Sequence, residues 1–556
     1  MSGDAHAADA VAEALAAAEP SAPRSLGELI ARLGASDRLR GVQAAEAPTG
    51  GPDGKAQSVS ALPVRGLTFD SRQVRAATIF VAVPGIHSDG HDYVGAAAAL
   101  GASAAIVERP VPRAALPQIV VDDSRRALAA AAAWWYGDPS RELGIVGVTG
   151  TDGKTTTTFL ASRVLEAAGV STGFITTAAL KVGLFESANP EHVTTPEAPQ
   201  LQRMLRAMVR SGNGAAIVET TSHGLALSRV AEIAYDVAIF TNLSHEHLEL
   251  HGTFEAYRAA KLSLFERLGD VGEAKRLARI WPRAAIVNGD VPAAPLFAAA
   301  AEQAGARLVT YGESPSAAVR AGAVEEGPGW LRFVVATPRW SGPVELGLFG
   351  RFNVHNALAA VALGEVLGLD EDRVRDGLSR VRGVPGRMER IECGQPFTVI
   401  VDYAHSPASL QKVLDILAPA ASADGGLIAV FGSAGERDVQ KRPMMGRVAG
   451  ERCRLVVVTD EDPRGEDGAA ILDQIAAGAE AAGKLRGRDL LCIGDRRAAI
   501  EAAFERAGPG DVVLLAGKGH EQTIIMAEGP RPWDERSEAL DALERLGYQR
   551  IAALGH

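Results

Sequence analysis

The sequence predicts an α/β protein of three domains, and three observations carry that expectation. At 556 residues the chain has room for about three units of ~150 residues each. Two long stretches, 142–382 and 383–556, alternate apolar strand-like runs with helical runs, the pattern of parallel sheets with helices on their faces. A glycine-rich turn joins the first of these strands to a helix headed by Lys154-Thr155, as in a P-loop-type domain. The expected layout is therefore a mixed α/β N-terminal domain at 25–141, a central P-loop-type parallel-sheet domain at 142–382, and a C-terminal Rossmann-like α/β domain at 383–556.

Residues 1–24 are Ala-rich and carry Asp4, Asp9 and Glu13, without the basic segment and apolar core of a secretion signal. A disordered or weakly helical tail is expected there. Between 25 and 141, short strands are expected at 67–71, 78–83, 104–108 and 118–121, with a loop at 50–54 and a boundary at Asp138-Pro139. The central strands fall at 145–148, 215–219, 237–240 and 284–287. Gly383-Val384-Pro385-Gly386-Arg387 interrupts the pattern, and strands follow at 397–401, 427–431, 455–458, 490–493 and 512–515. Several of these run straight into polar residues, among them Glu219-Thr220-Thr221, Asp402-Tyr403-Ala404-His405 and Asp460-Glu461-Asp462-Pro463-Arg464. Open α/β sheets bind ligands at the carboxyl ends of their strands, so these clusters predict a cleft between two sheets.

Composition narrows the function classes. A net charge of −11 and the lack of a long basic run argue against nucleic-acid binding. The three cysteines, Cys393, Cys453 and Cys492, are too dispersed for a disulfide framework or a zinc motif and suit a reducing cytoplasm. No apolar run reaches the length of a membrane span.

Gly147-Val148-Thr149-Gly150-Thr151-Asp152-Gly153-Lys154-Thr155-Thr156-Thr157 is the most informative segment. Glycines let backbone N–H groups close on phosphate oxygens, and the helix N-terminus adds the positive end of its dipole. Lys154 is placed to reach terminal phosphates and Thr155 to hold Mg²⁺. The common pattern wants a glycine where Val148 stands, so the alternative is a glycine-rich turn that holds no ligand. Downstream, Glu219, His247 and Lys261 stand out. Glu219 and Thr155 offer the oxygen ligands Mg²⁺ prefers. His245, His247 and His251 equally suit zinc or iron, or are loop histidines without a metal. Lys261 is either a half-buried lysine with a reactive amine or one that snorkels to solvent.

The run Gly150-Thr151-Asp152-Gly153-Lys154-Thr155-Thr156 resembles the phosphate loop of the Mur ligases, the ATP-dependent amide ligases of peptidoglycan synthesis, whose loop is a short variant. The resemblance extends from about residue 65 onward through Asp70-Ser71-Arg72, Thr194-Thr195-Pro196, Ser222-His223-Gly224, Phe352-Asn353-Val354-His355-Asn356, Gly386-Arg387-Met388-Glu389, Asp402-Tyr403-Ala404-His405-Ser406-Pro407 and Gly517-Lys518-Gly519-His520-Glu521. It implies that the N-terminal domain binds a UDP-sugar and that the central domain is the ATPase. Residues 150–156 would cradle ATP phosphates. Glu219 and His247 would hold Mg²⁺, which removes the zinc reading, and Lys261 would be carried as a carbamate facing the metal. Asn356, Arg387, Asp402 and His405 match nucleotide-contacting positions. Phe69, Ser71, Ile86, His87, Ser88, Thr194, Thr195, Thr221 and Arg229 match contacts to UDP-N-acetylmuramoyl-L-Ala-D-Glu. Leu227 and Val193 replace polar residues found in some members.

The incoming diamino acid would meet Arg437, Glu461, Asp462, Pro463, Arg464, Gly517 and Glu521. Arg464 suits the distal carboxylate of meso-diaminopimelate. Asp462, where an asparagine is common, would repel that carboxylate and favour L-lysine or L-ornithine. The implied reaction joins the diamino acid to the D-Glu γ-carboxylate through an acyl phosphate, with domain closure near 383–386 excluding water. The enzyme is expected to be a cytoplasmic monomer. A folylpolyglutamate synthase-like ligase is opposed by the Ser71 domain and by residues 461–464. A member adding D-Ala-D-Ala is opposed by Glu521 and Arg437. A non-catalytic nucleotide-binding scaffold is opposed by the intact set Lys154, Glu219, His247 and Lys261.

Overall fold

The structure of the protein, a computed structural model, describes residues 2–36, 38–43, 58–85, 88–191, 193–244, 248–270, 274–277, 279–327 and 329–549. It is an α/β protein whose chain forms two compact units. One comprises residues 1–320, 337–340 and 357–374, the other residues 321–336, 341–356 and 375–556. Among the described residues no helix is long and apolar enough to cross a membrane.

The first unit joins two sheets that the sequence assigns to separate domains, and polar contacts explain the union. Arg32 pairs with Asp138 at 2.8 Å and Glu232 at 3.0 Å, and Arg38 reaches Glu232 at 2.6 Å. Arg206 donates to Tyr136 O and pairs with Glu142 at 2.9 Å. The smaller sheet has the order Leu39–Gln43, Gln118–Val121, Ala104–Val107, Thr78–Val81, Gly66–Thr68. Its pairs are parallel except the one made by Leu39–Gln43. The first expected strand is shorter than 67–71 because the Asp70 carboxylate accepts from Arg72 N and caps a tight turn, Ser71–Gln73.

The part of the larger sheet between its outer edge and Arg307–Gly312 runs Phe185–Ala188, Ala179–Val182, Thr172–Ile175, Ala215–Glu219, Gly144–Thr149, Val237–Phe240, Ala284–Asn288, Arg307–Gly312. From Thr172–Ile175 onward its pairs are parallel, and the other two strands form an antiparallel hairpin at the edge. Parallel strands are covered on both faces, which is why these read as continuous apolar runs. Register places Glu219 beside Val148 and Phe240 beside Thr149, so the polar residues after each strand emerge at one edge.

The N-terminal segment departs from the expected tail. Ser2–Ala17 is a helix packed against the outermost strand and against the helix Ala198–Arg210. Val11, Leu15 and Ala18, spaced four and three residues apart, form one apolar stripe buried in the core of the larger sheet.

The second unit is built on a sheet of order Glu389–Ile391, Thr398–Asp402, Val512–Ala516, Leu427–Phe431, Leu455–Val458, Leu490–Cys492, parallel except at Glu389–Ile391. Apolar clusters cover both faces, one centred on Leu414, Phe431 and Ile475, the other on Val430, Phe504 and Leu543.

Candidate active site

The strand Gly144–Thr149 ends in the phosphate loop, and the helix Lys154–Ala167 begins on it. Gly153 caps that helix at φ +81°, a left-handed conformation that costs a residue with a Cβ about 1 kcal/mol. Gly150 has no space for a side chain, since a Cβ there would lie 1.9 Å from Thr241 Oγ1. The loop is fixed from the neighbouring strand end. Thr241 Oγ1 donates to Asp152 O at 2.6 Å, Asn242 Oδ1 accepts from Asp152 N at 2.9 Å, and Asn242 O accepts from Thr151 N at 2.9 Å. Lys154 Nζ donates to Thr151 O at 2.7 Å. Lys261 is buried at 2% exposure, so it does not snorkel. Its Nζ donates to Gly150 O at 2.6 Å and lies 4.5 Å from the centre of the Tyr257 ring. These bonds fix the path of the loop, with the amides of Thr151 and Asp152 engaged by Asn242.

Beside the loop stands Glu219, 2% exposed at the end of its strand. Its Oε2 accepts from Thr155 Oγ1 at 3.0 Å and from Thr177 N at 3.0 Å. A hydroxyl and a carboxylate at this distance form an oxygen donor set of the kind Mg²⁺ takes, so these residues fit that ion. His247 lies outside the described residues, as do Ile86 and His87.

From Glu219 a chain of hydroxyls leads to the residues predicted to touch the sugar peptide. Thr177 Oγ1 and Thr194 Oγ1 are 2.8 Å apart. Thr195 Oγ1 donates to Glu219 O at 2.8 Å and accepts from Thr221 Oγ1 at 3.0 Å. Thr221 in turn accepts from Gly224 N at 3.0 Å and caps the helix Ser222–Ala226. Arg229 donates to Thr195 O at 2.9 Å and pairs with Glu197 at 2.6 Å. Glu197 also lines a cavity of about 470 Å³ with Phe69, Ser71, Ser88, Tyr93 and Arg125. Tyr93, Arg125 and Glu197 were not predicted, because no local spacing marks them and only the fold gathers them.

In the second unit, both oxygens of Asp402 are engaged by backbone. Oδ2 accepts from Met388 N at 2.8 Å and Oδ1 from Ala404 N at 2.8 Å. Burial pushes its carboxyl above the ordinary range, opposed by the Arg387 guanidinium and those two amides. Asp402 thereby holds the turn carrying Arg387, whose guanidinium carbon lies 5.0 Å from the centre of the Tyr403 ring. His405 Nδ1 is 2.9 Å from Tyr403 O, and Asn356 Nδ2 donates to Asn353 Oδ1 at 2.7 Å.

Around the other strand ends, Glu461 is buried and its Oε2 accepts no hydrogen bond among the described residues. Burial raises its carboxyl, partly offset by Lys441, His405 and Lys518. A Cβ on Gly517 would sit 2.9 Å from that same oxygen. Glu521 accepts from Tyr403 Oη at 3.2 Å and pairs with Lys518 at 2.5 Å. Arg464 N donates to Ile525 O at 2.9 Å, Pro463 is buried, and Arg437 is exposed.

Asp462 has a partner that its own segment does not reveal. Its Oδ1 accepts from the fully buried Lys518 Nζ at 2.8 Å and from Ile525 N at 2.9 Å. The anion predicted to repel a carboxylate is therefore paired with an internal cation, which it shares with Glu521.

The chain matches known proteins over most of its length. Three family models match the chain: Mur ligase family, catalytic domain, at residues 63–136; Mur ligase middle domain at 148–364; and Mur ligase, glutamate ligase domain, at 386–519. The UDP-N-acetylmuramyl-tripeptide synthetase of Roseiflexus sp. (strain RS-1) is 49% identical over 489 residues, covering 87% of this chain and 95% of that protein. The UDP-N-acetylmuramoyl-L-alanyl-D-glutamate–2,6-diaminopimelate ligase of Geobacter metallireducens is 40% identical, with the same coverage of 87% and 95%. A solved structure of a ligase of that name superposes with a TM-score of 0.62 at 30% identity, covering 90% of this chain and 98% of that one. With its phosphate loop, buried glutamate and three successive domain matches, the chain belongs to the Mur ligase family.

Proposed function

We propose that this protein is an ATP-dependent ligase of peptidoglycan synthesis that joins a diamino acid to the D-Glu γ-carboxylate of UDP-N-acetylmuramoyl-L-Ala-D-Glu. The observation that carries the reading is the continuous network from Thr155 on the phosphate-loop helix through Glu219 and Thr177 to Thr194, with Thr195 on the same carboxylate residue's carbonyl. It supports phosphate transfer and carboxylate binding at one sheet edge.

In this mechanism the γ-carboxylate attacks the γ-phosphorus of ATP, giving an acyl phosphate and ADP. The amine then attacks the acyl carbon, loses a proton, and phosphate departs as the amide forms. Two anions meet in the first step. Lys154 and the loop amides at 150–156 offset that repulsion, and Thr155 and Glu219, with His247 on the family resemblance, are the residues that would hold Mg²⁺. When bound, the ion supplies further positive charge against the phosphates. Thr194, Thr195, Thr221 and Arg229 orient the peptide carboxylate, while Phe69, Ser71 and Ser88 hold the UDP end. Asn356, Arg387, Asp402 and His405 are assigned to the nucleotide. Lys261 is carbamylated in this reading: the modification turns a buried cation into an anion yet keeps one N–H for Gly150 O. In this reading the reaction takes place in the cytoplasm and the enzyme acts as a monomer.

The amino acid is assigned to Arg437, the 461–464 segment, Gly517 and Glu521. The Arg464 guanidinium suits the distal carboxylate of meso-diaminopimelate, and the free oxygen of Glu461 suits an ammonium group. The test is phosphate release with the UDP-muramoyl dipeptide and a panel of meso-diaminopimelate, L-lysine and L-ornithine. Release only with both partners present, and with the highest kcat/KM for meso-diaminopimelate, supports the proposal. Preference for lysine or ornithine refutes the amino-acid assignment, and dipeptide-independent hydrolysis refutes the reaction.

A further inference from the structure

Arg496 opens the helix Arg496–Glu505, and both its side chain and that of Glu535 are completely buried. The guanidinium makes a bidentate pair with Glu535, Nη2 to Oε1 at 2.7 Å and Nε to Oε2 at 2.9 Å. Trp533 Nε1 donates to Glu535 Oε2 at 2.7 Å. Two further donors go to main-chain carbonyls: Nη2 to Ala516 O at 2.8 Å and Nη1 to Asp460 O at 3.2 Å.

Those carbonyls are the point of interest. Ala516 immediately precedes Gly517, and Asp460 immediately precedes Glu461. Ala516 ends one strand and Asp460 follows another, and the two are not neighbours, because Leu427–Phe431 lies between Val512–Ala516 and Leu455–Val458. Strands two apart are ~10 Å from each other, so no ladder hydrogen bond ties their ends together. The planar fork of one arginine does, with Glu535 and Trp533 fixing its orientation. A buried ion pair is a poor source of stability, since an apolar pair of similar volume is often as good. The geometry it imposes is the more telling property.

We propose that Arg496, oriented by Glu535, is a positioning residue that sets the spacing between Glu461 and Gly517 and so shapes the site for the incoming amino acid. Arg496 touches no substrate itself. The inference rests on the assignment of Glu461 and Gly517 to that amino acid, and Glu461→Gln tests the assignment separately.

The experiment measures KM for each of the three substrates, and kcat, in R496K, E535Q and E461Q. Lysine can pair with Glu535 but cannot span both carbonyls. R496K is therefore expected to raise KM for the amino acid tenfold or more, with KM for ATP and for the UDP-muramoyl dipeptide within twofold of the unmodified enzyme. E535Q keeps acceptor atoms for the guanidinium and is expected to show the same selective rise, about threefold. If E461Q raises the amino-acid KM while R496K and E535Q leave it unchanged, the clamp is refuted and the site assignment stands. If E461Q has no effect on that KM, the assignment itself fails. Should R496K not fold, E535Q decides alone: an equal rise in all three KM values, or a fall in Tm with none, shows a purely structural role and overturns the proposal.

Discussion

Replacing Gly150 by alanine places a methyl carbon 1.9 Å from Thr241 Oγ1 and 3.0 Å from both Asn242 N and Asn242 O. The overlap cannot be relieved by a flexible chain end, because Thr241 Oγ1 is held by its bond to Asp152 O at 2.6 Å and the Asn242 atoms are backbone. Turning the threonine away breaks that bond, worth about 1 kcal/mol. Shifting the loop instead also disturbs the Lys261 contact to Gly150 O, and overpacking of this kind costs about 2 kcal/mol. The two relaxations are alternatives, so the cost is about 1–2 kcal/mol, a loss of roughly five- to thirtyfold in kcat/KM for ATP. Thr241→Ala alone loses the bond to Asp152 O and should cost about 1 kcal/mol, near fivefold. It also removes the atom that clashes, so the double mutant should be less impaired than the sum of the singles by at least ~1 kcal/mol. Steady-state kinetics with varied ATP on the four proteins of the cycle measures the coupling. Additivity to within about 0.5 kcal/mol would falsify the account of why this position is glycine.

Glu219→Gln should raise the Mg²⁺ concentration for half-maximal phosphate release at least tenfold, because a neutral amide replaces the buried carboxylate beside Thr155; an unchanged Mg²⁺ titration would remove Glu219 from the proposed metal site. Deleting residues 2–18 removes the buried Val11 and Leu15, about 2 kcal/mol each before the ordering of the helix is discounted, so Tm should fall by several degrees in thermal unfolding while ligation persists below it. Burial opposes ionisation of Asp511, but Arg454 and the amides of Gly508 and Gly426 outweigh it and hold the carboxyl below its ordinary value. A depressed folded pKa stabilises above the unfolded value and the benefit is lost as pH falls through the carboxylate range. Asp511→Asn should accordingly cost about 2 kcal/mol in urea unfolding at pH 7 and clearly less near pH 3; equal costs at both would contradict it.

The parts of the fold legible in the sequence are those where local pattern and burial coincide. Leu427–Phe431, Leu455–Val458, Ala215–Glu219 and Val237–Phe240 appear at the expected positions because a strand covered on both faces is apolar throughout. Leu39–Gln43, half exposed at a sheet edge, and the hairpin Ala179–Val182 with Phe185–Ala188 carry mixed residues and left no such signal. A weak helix is one of the two states expected at the N-terminus, but its docking is hidden by its alanines, since Val11 and Leu15 are a thin stripe for a 16-residue helix. In the site, the phosphate loop is contiguous and reads directly. Asp462 pairs with Lys518, 56 residues away, a contact that its own segment does not announce. Only the sheet topology, which sets those two strand ends near each other, makes that pair visible.

The same N-terminal helix has a consequence for solubility. Phe185–Ala188 is the outermost strand on its side of the larger sheet, and an edge strand offers a row of main-chain donors and acceptors to any extended segment that approaches. Ser2–Ala17 lies against that strand, with the rings of His6 and Phe185 meeting edge to face at 5.6 Å. A chain shortened at its N-terminus would carry this edge bare beside newly exposed apolar surface. Its failure on warming would then be self-association, seen as light scattering that grows with protein concentration, ahead of any loss of the active-site network.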